Sequence, residues 1–234
     1  MQLTQPARGS RKPDRRDPAP GCPARARFTR LARLKSDKSG TALIEFALVL
    51  PILTVLGMYG TELAYMATVN MEVSQLANAV ADNASRLGQT DNSSVTPTVT
   101  ETDIDSVMEG AIQQGNAIDF LQNGRIILTS LERDSSTGAQ YIHWQRCAGN
   151  LAEASDYGDE GDTLASGMGP AGREITAPST SAVMYAEVFY DYQGIFGDMF
   201  VGTVQFKQEA ALVVRDDRNL TPGVTGSGGS SSCT

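Results

Sequence analysis

The longest apolar run of the chain covers residues 41–60, and one carboxylate, Glu45, interrupts it. A helix of about 20 apolar residues spans the hydrocarbon core of a bilayer. Pro51 removes one backbone N–H group and predicts a kink, which a transmembrane helix tolerates. The run therefore predicts one transmembrane helix. Inside it an unpaired Glu is costly and marks a functional position.

The helical pattern continues beyond the apolar run. From Thr61 to Leu87 the chain has no Pro or Gly, and apolar side chains recur at helical spacing. This predicts an amphipathic stalk over residues 61–88, ended by Gly88, with Glu62 among the residues of its polar face. The positions expected on the inner stripe are Leu63, Met66, Ala67, Asn70, Val73, Ala77, Val80, Ala81, Ala84 and Leu87.

A second amphipathic helix is predicted over residues 101–122, where apolar residues again recur at helical spacing. Either Thr100 or Thr102 supplies a side-chain oxygen that can cap its first turn. Gly110 and Gly115 lower helix propensity, so an interruption of the helix at either glycine is expected.

Strand signals follow the second helix. The predicted strands are Arg125–Arg133, Ala139–Arg146, Val183–Tyr192 and Val204–Arg215. Residues 134–138 have the composition of a hairpin loop between the first two. The expected fold class is α+β: a long N-terminal transmembrane and stalk helix, a second amphipathic helix, and an antiparallel sheet of about four strands.

Two connections between the predicted elements stand out. Residues 148–180 form a long loop that is either functional or mobile. Residues 193–202 connect the last two predicted strands and carry apolar side chains in a loop. Three of these are candidates for partner contacts: Ile195, Phe196 and Phe200. The predicted organisation is a leader at 1–40, a transmembrane helix at 41–60, a stalk at 61–88, an exported α+β domain at 89–218, and a flexible Gly/Ser tail at 219–234.

Charge is divided unevenly along the chain, whose formal net charge is −8. Residues 1–40 carry 11 Lys and Arg against 3 Asp and Glu, whereas residues 41–234 carry 8 against 24. The positive-inside rule keeps the basic leader cytoplasmic and exports the acidic part. The leader lacks apolar periodicity and is predicted to be disordered. The acidic excess argues against nucleic-acid binding by the exported domain.

The cysteines follow the same division. Cys22 lies in the leader, where a thiol stays reduced, whereas Cys147 and Cys233 lie in the part expected to be exported, where disulfides persist. One bridge between Cys147 and Cys233 is the simplest interpretation, and two unpaired thiols are the alternative. The spacing of Cys and His indicates no metal site.

Candidate chemistry elsewhere is weak. The acidic cluster of residues 156–162 does not match the calcium-binding pattern of an EF-hand, so a solvated loop is the favoured interpretation over a calcium site. His143 is the only histidine, and no nucleophile elbow or orienting motif accompanies it and Ser130. We therefore expect no enzyme, no cofactor and no metal.

A basic segment that ends at Lys38 precedes residues 39–51, SGTALIEFALVLP, in which a glycine, a carboxylate five residues later and an apolar run follow in order. This order resembles the prepilin processing site. The pair Glu45-Phe46 resembles the Glu-aromatic pair of the Flp-pilus branch, and the whole stretch resembles the TadE-like minor pseudopilins of tight-adherence systems. The resemblance implies cleavage by a prepilin peptidase between Gly40 and Thr41. Glu45 would then pair with the new amino group of Thr41 or of a neighbour and guide docking.

The same resemblance implies a role in assembly, priming or anchoring of Flp-type pili, and through them in adhesion. The implied partners are a prepilin peptidase, other pilins and pseudopilins, the inner-membrane pilus platform and the membrane itself. The implied location is the inner membrane, single-pass, with a cytoplasmic N-terminus and a periplasmic C-terminal domain, and entry into the pilus is left open. The alternative is an uncleaved signal-anchored envelope domain that binds a periplasmic or surface partner, with Glu45 as an interfacial residue.

Overall fold

In the computed structural model the described residues are 39–88, 96–215, 218–227 and 229–233. They fall in two units, the first ending at Thr54 and the second beginning at Val55. Cys22 and the predicted leader up to residue 38 lie outside the described residues.

The elements confirm the predicted α+β class. The helices are α1 (Ser39–Ser85), α2 (Glu101–Gln114) and α3 (Phe120–Asn123), with 3₁₀ turns at Gly115–Ile118 and Gly197–Met199. The strands are β1 (Val99–Thr100), β2 (Gly124–Arg133), β3 (Gln140–Ala148), β4 (Thr163–Leu164), β5 (Val183–Asp191), β6 (Gln205–Val213) and β7 (Val224–Thr225).

Helix α1 is continuous over 47 residues and contains Pro51 without ending there. Three of its threonines donate their hydroxyl hydrogen to the carbonyl oxygen four residues earlier, as at Thr54, which bonds to Leu50 at 2.8 Å. Such side-chain bonds are compatible with a helix because the hydroxyl satisfies itself within the same turn. One helix therefore includes both the predicted transmembrane segment and most of the predicted stalk.

The buried face of the stalk differs from the predicted stripe. The predicted positions Leu63, Ala67 and Asn70 are exposed, whereas Glu62, assigned to the polar face, is fully buried. The buried apolar residues of α1 recur at three- and four-residue steps, so the period was correct and the phase was wrong near the start of the stalk. They are Val69, Val73, Leu76, Ala77, Val80, Ala81 and Ala84.

Helix α2 begins with a capping box. The Thr100 hydroxyl accepts a hydrogen bond from the Asp103 N–H at 3.2 Å, and the Asp103 carboxylate accepts one from the Thr100 N–H at 3.0 Å. Gly115 ends the helix and packs closely against Phe120, where a Cβ would lie 2.6 Å from the Phe120 Cβ. The predicted helix over 101–122 is thus divided at Gly115, the second of the two glycines expected to weaken it.

The main sheet is antiparallel, with strand order β4-β3-β2-β5-β6. It has five strands rather than about four because the long loop contributes the two-residue edge strand β4. A separate parallel pair joins β1 to β7. Its register aligns Val99 with Val224, which brings the segment before α2 against the C-terminal segment.

Both faces of the sheet are buried, and β5 shows the alternation. Met184, Ala186 and Val188 belong to the core shared with α1 and α2. Tyr185 and Phe189 point to the opposite face, which residues of the 148–180 loop cover. Part of this loop, including the buried Met168 and Ala177, therefore packs on the sheet.

The C-terminal segment also packs, contrary to the flexible tail predicted for 219–234. Ser231 is buried and its hydroxyl bonds to the Asp105 carboxylate on α2. The backbone N–H of Cys147 donates to the Ser231 carbonyl at 2.6 Å. Gly and Ser gave no apolar signal for packing, but strand pairing, hydrogen bonds and a covalent bond at Cys233 hold the segment in place.

Candidate membrane anchor and docking site

The N-terminal part of α1, residues 40–57, is exposed throughout. Residues 40–60 are exposed except for Met58, which is half-buried. Among the described residues α1 is the one helix that is long and apolar enough to cross a membrane. The large apolar side chains it exposes are Leu43, Ile44, Phe46, Leu48, Val49, Leu50, Ile52, Leu53, Val55 and Leu56. A bilayer covers such a surface at no cost, since lipid tails are as apolar as these side chains.

The residues of the predicted processing site lie in the first turns of α1. Gly40, Thr41, Glu45 and Phe46 are all exposed there. Positions 41 and 45 are four residues apart, so their side chains lie on the same face of the helix. An amino group created at Thr41 by cleavage would therefore be one helical turn from the Glu45 carboxylate.

Glu62 is a functional candidate that sequence reasoning missed. Its carboxylate accepts a hydrogen bond from the Tyr192 hydroxyl at 2.6 Å and another from the Phe196 N–H at 3.2 Å. Gly194 passes so close that a Cβ there would lie 2.6 Å from Glu62 Oε1. A buried carboxylate is tolerated only when hydrogen bonds replace its water, and these contacts supply them.

Glu62 thereby fixes the loop of residues 193–202, which contains the predicted partner-contact residues. The rings of Phe196 and Phe200 pack edge-to-face at 5.8 Å, and Phe200 lies 6.0 Å from the ring of Tyr59 on α1. Phe196 and Phe200 are half-buried, whereas Ile195 is 51% exposed. Met199, which the sequence analysis did not name, is 72% exposed in the same loop.

A signal for Glu62 was present in the sequence. Glu62, Val69 and Leu76 are spaced seven residues apart, so they share one side of the helix. Taking Val69 and Leu76 into the inner stripe would have placed the carboxylate on the buried face. No local signal identified Tyr192 as its partner, because that contact joins residues 130 positions apart.

Two cysteines of the described residues are joined. Cys147 on β3 and Cys233 form a disulfide with a Cα–Cα distance of 4.8 Å. The neighbouring Arg146 binds both carboxylate oxygens of Glu101, at 3.0 and 2.7 Å. Together these bonds tie the C-terminal segment, β3 and the start of α2 to one another.

The predicted acidic cluster does not converge on one point. Asp156 pairs with Lys207 at 2.5 Å, Glu160 pairs with Arg146 at 2.9 Å, and Asp162 accepts from the Asp159 N–H at 2.9 Å. No group of three or more possible metal ligands is found among the described residues. The carboxylates instead hold the long loop against the sheet.

Lys207 is the centre of this attachment. Its ammonium also lies 2.5 Å from Glu209 and 3.6 Å from the fully buried Glu187. Burial alone would lower the pKa of Lys207, but its bonds to Asp156 and Glu209 outweigh burial and raise the pKa. Burial raises the pKa of Glu187, although bonds from Ser155 and Asp156 oppose this.

His143 forms a separate polar cluster with Glu132. Its Nδ1 lies 2.9 Å from Glu132 Oε2, and the proximity of this carboxylate raises the pKa of His143 in spite of partial burial. Ser130 donates to the other oxygen of Glu132 at 3.0 Å. The Ser130 hydroxyl is therefore directed at the Glu132 carboxylate. In a Ser–His pair for nucleophilic attack the hydroxyl would instead donate to the imidazole.

The comparisons with known proteins concern the helical part of the chain. A family model described as TadE-like protein matches residues 40–82. Residues 40–82 of this chain are TadE-like. The match begins at Gly40, the glycine of the proposed processing motif, and covers nearly all of α1. The chain has no significant match among curated proteins or among solved structures.

The match relates residues 40–82 to the membrane proteins associated with the Tad pilus. The long apolar helix near the N-terminus suggests a single-pass anchor. Glu45 and Glu62, the two acidic residues discussed above, both lie within the TadE-like segment. The sheet, the disulfide and the 193–202 loop lie outside it.

Proposed function

We propose that the protein is a pilin-like component of the tight-adherence system that acts in assembly, priming or anchoring of Flp pili for adhesion. It would be an inner-membrane, single-pass protein with its N-terminus in the cytoplasm and its sheet domain in the periplasm. A prepilin peptidase would remove the leader between Gly40 and Thr41. The remaining partners would be other pilins and pseudopilins and the inner-membrane pilus platform.

One observation carries the proposal. The TadE-like match begins at Gly40, on a helix whose following 20 residues expose apolar side chains almost without interruption. Residues 1–40 before it carry the excess of Lys and Arg, which favours a cytoplasmic N-terminus. A glycine at the boundary between a basic and an apolar segment is the position at which a prepilin-type leader ends.

Glu45 supplies the docking chemistry in this proposal. A carboxylate near one end of a transmembrane helix is stabilised when it pairs with a cation. After cleavage the amino group of Thr41, in the same subunit or in a neighbour, is such a cation and lies at the right spacing. Pairing between subunits would align one helix against the next, which is the step that assembly requires.

The proposed role is a binding and assembly role without catalysis. In the described domain the polar clusters connect its own elements: Arg146 to α2, Lys207 to the long loop, and Glu132 to His143. Each side chain is thus engaged in intramolecular contacts, as expected of a rigid periplasmic head carried on a stalk.

The test is complementation of a deletion strain in a host with a Tad system. We expect Glu45→Ala to reduce pilin recovered from sheared cells by at least about tenfold, corresponding to an interaction of roughly 1.4 kcal/mol. The protein level in membranes should stay unchanged. Leu50→Ala, also an exposed position of the same segment, serves as the matched control and should leave pili intact.

Two results would contradict the proposal. Full piliation of the deletion strain would show that the protein is dispensable for the pilus. Full piliation with Glu45→Ala would refute the docking role of the carboxylate, and the proposed role of α1 as a membrane anchor would still stand.

A further inference from the structure

We propose that the loop of residues 193–202, hereafter the interfacial loop, docks into the periplasmic leaflet of the membrane that α1 crosses. Ile195 and Met199 would enter the boundary between headgroups and acyl chains. The lipid bilayer is the proposed occupant of this surface. The inference rests on the proposal that residues 41–60 span the bilayer.

The position of the loop follows from Tyr59. A helix of 20 residues is about 30 Å long, which matches the hydrocarbon thickness, so residues near position 60 lie at the level of the headgroups. Tyr59 is at that level, where tyrosine is favoured. The ring of Phe200 lies 6.0 Å from the ring of Tyr59. The interfacial loop therefore emerges where the membrane surface is expected.

The chemistry of the loop fits the same place. Met199 is 72% exposed and Ile195 is 51% exposed, although Phe196 and Phe200 beside them are partly covered. Tyr59, the neighbour of Phe200, is itself 42% exposed. Apolar side chains in this position lose water when the bilayer covers them.

The loop is held in shape before it meets any partner. Glu62 accepts from the Phe196 N–H at 3.2 Å, and the Gly197 N–H donates to the Gly194 carbonyl at 3.2 Å. At its base the Tyr192 N–H donates to the Val204 carbonyl at 2.8 Å. A surface that is already ordered loses little conformational entropy on docking. Glu62 is thus a positioning residue for the interfacial loop.

Charge limits the depth of insertion. The interfacial loop has one carboxylate, Asp198, which is exposed, and no Lys or Arg. A carboxylate stays with the headgroups, so Ile195 and Met199 enter only the outermost acyl region. For the same reason docking should be stronger on zwitterionic than on anionic lipid.

The experiment uses the full-length protein in dioleoylphosphatidylcholine vesicles, with and without brominated acyl chains that quench tryptophan. Met199→Trp and Ile195→Trp each place a reporter in the loop. Trp144 is the only native tryptophan and is 3% exposed, so the unaltered protein gives the background.

Two further variants give reference levels of quenching for an embedded and for a water-exposed tryptophan. Leu50→Trp lies within the proposed transmembrane segment and reports whether α1 is embedded at all. Ser135→Trp lies at the tip of the β2–β3 hairpin, which follows the C-terminal end of β2. The interfacial loop lies at the opposite end of the sheet, because it follows β5, where Tyr190 pairs with Gly124 at the N-terminal end of β2. Ser135 is exposed and should remain in water.

We expect the reporters at 195 and 199 to be quenched well above background, at a level between those at 50 and 135. Quenching at 50 combined with background quenching at both loop positions would overturn the inference and leave the anchor in place. Such a result would mean that the loop faces water or awaits a protein partner. Background quenching at 50 as well would overturn both the inference and the proposed anchor.

Discussion

The hydroxyl of Tyr192 donates a 2.6 Å hydrogen bond to Oε1 of Glu62, and both side chains are buried. Tyr192 follows β5 directly, and Glu62 lies near the start of the stalk. The bond therefore connects the end of a central strand to α1. The second oxygen of Glu62 accepts from the Phe196 N–H, so one carboxylate orients both the strand end and the interfacial loop.

Replacing Glu62 by Ala is expected to reduce the free energy of unfolding by about 2–4 kcal/mol, because the buried Tyr192 hydroxyl and the partly buried Phe196 N–H lose their acceptor. Glu62→Gln keeps an acceptor oxygen and should cost less. Urea unfolding of the full chain in detergent micelles, followed by Trp144 fluorescence, measures the difference. Glu109→Ala, at an exposed position of α2, is the control and should change stability by no more than about 0.5 kcal/mol. Equal stability of Glu62→Ala and Glu109→Ala would refute the role of Glu62.

The disulfide predicts a specific product of proteolysis. Trypsin under non-reducing conditions should release peptide 147–173 linked to the peptide that begins at residue 219, because Cys147 is joined to Cys233. Reduction should separate the two. Since the bridge closes a loop with a sequence separation of 86, replacing both cysteines by Ser should reduce the free energy of unfolding by about 2–5 kcal/mol. Recovery of both peptides with free thiols from the native protein would exclude the bridge.

Lys207 is expected to control access to the long loop. Lys207→Met leaves Asp156, Glu209 and the buried Glu187 without their cation, so the loop should separate more often from the sheet. Cleavage after Glu153 and Glu160 by a glutamate-specific protease should become several-fold faster, roughly as expected for about 1 kcal/mol of local destabilisation. Lys207→Arg keeps the charge and should stay close to the unaltered protein. Identical cleavage rates for Met and Arg at this position would argue against the attachment.

His143 predicts a pH dependence of stability. The nearby Glu132 carboxylate raises the pKa of His143 in the folded protein above the ordinary value of about 6.5. A raised folded pKa means that the folded state binds the proton more tightly than the unfolded state does. The stabilisation is therefore full below about pH 6.5 and is lost as the pH rises through the folded pKa.

The measurement compares urea unfolding across this pH range for the unaltered protein and for His143→Gln, which should lack this component. As His143 is the only histidine, its imidazole resonances in an NMR titration of untagged protein are unambiguous. A titration midpoint at or below about 6.5 would contradict the Glu132 interaction.

Local patterns predicted the elements well. Apolar spacing over residues 41–87 predicted one long helix, and Thr100 was among the proposed caps of α2 because its hydroxyl has a local acceptor role. The four predicted strands match β2, β3, β5 and β6 within one or two residues of their ends, whereas the two-residue strands β1, β4 and β7 were not predicted. These features depend on neighbours in the chain, which the sequence displays directly.

Features that depend on distant residues were predicted poorly. Glu62 and Lys207 look like surface residues in the sequence, and only their partners on other elements show that they are held in the domain interior or at its boundary. The segment around Ser231 looks like a flexible linker, yet it packs because β7 pairs with β1 and Asp105 accepts its hydrogen bond. Composition alone does not contain these contacts.

The most direct test of the pilin-like assignment is the N-terminal residue of the protein extracted from membranes, determined by mass spectrometry. Cleavage between Gly40 and Thr41 predicts a mature chain that begins at Thr41, with Glu45 as its fifth residue. A chain that still carries residues 1–40 would contradict prepilin-type processing and would leave a signal-anchored envelope domain. Cleavage on the C-terminal side of the apolar run, near Ala79, would contradict the anchor itself.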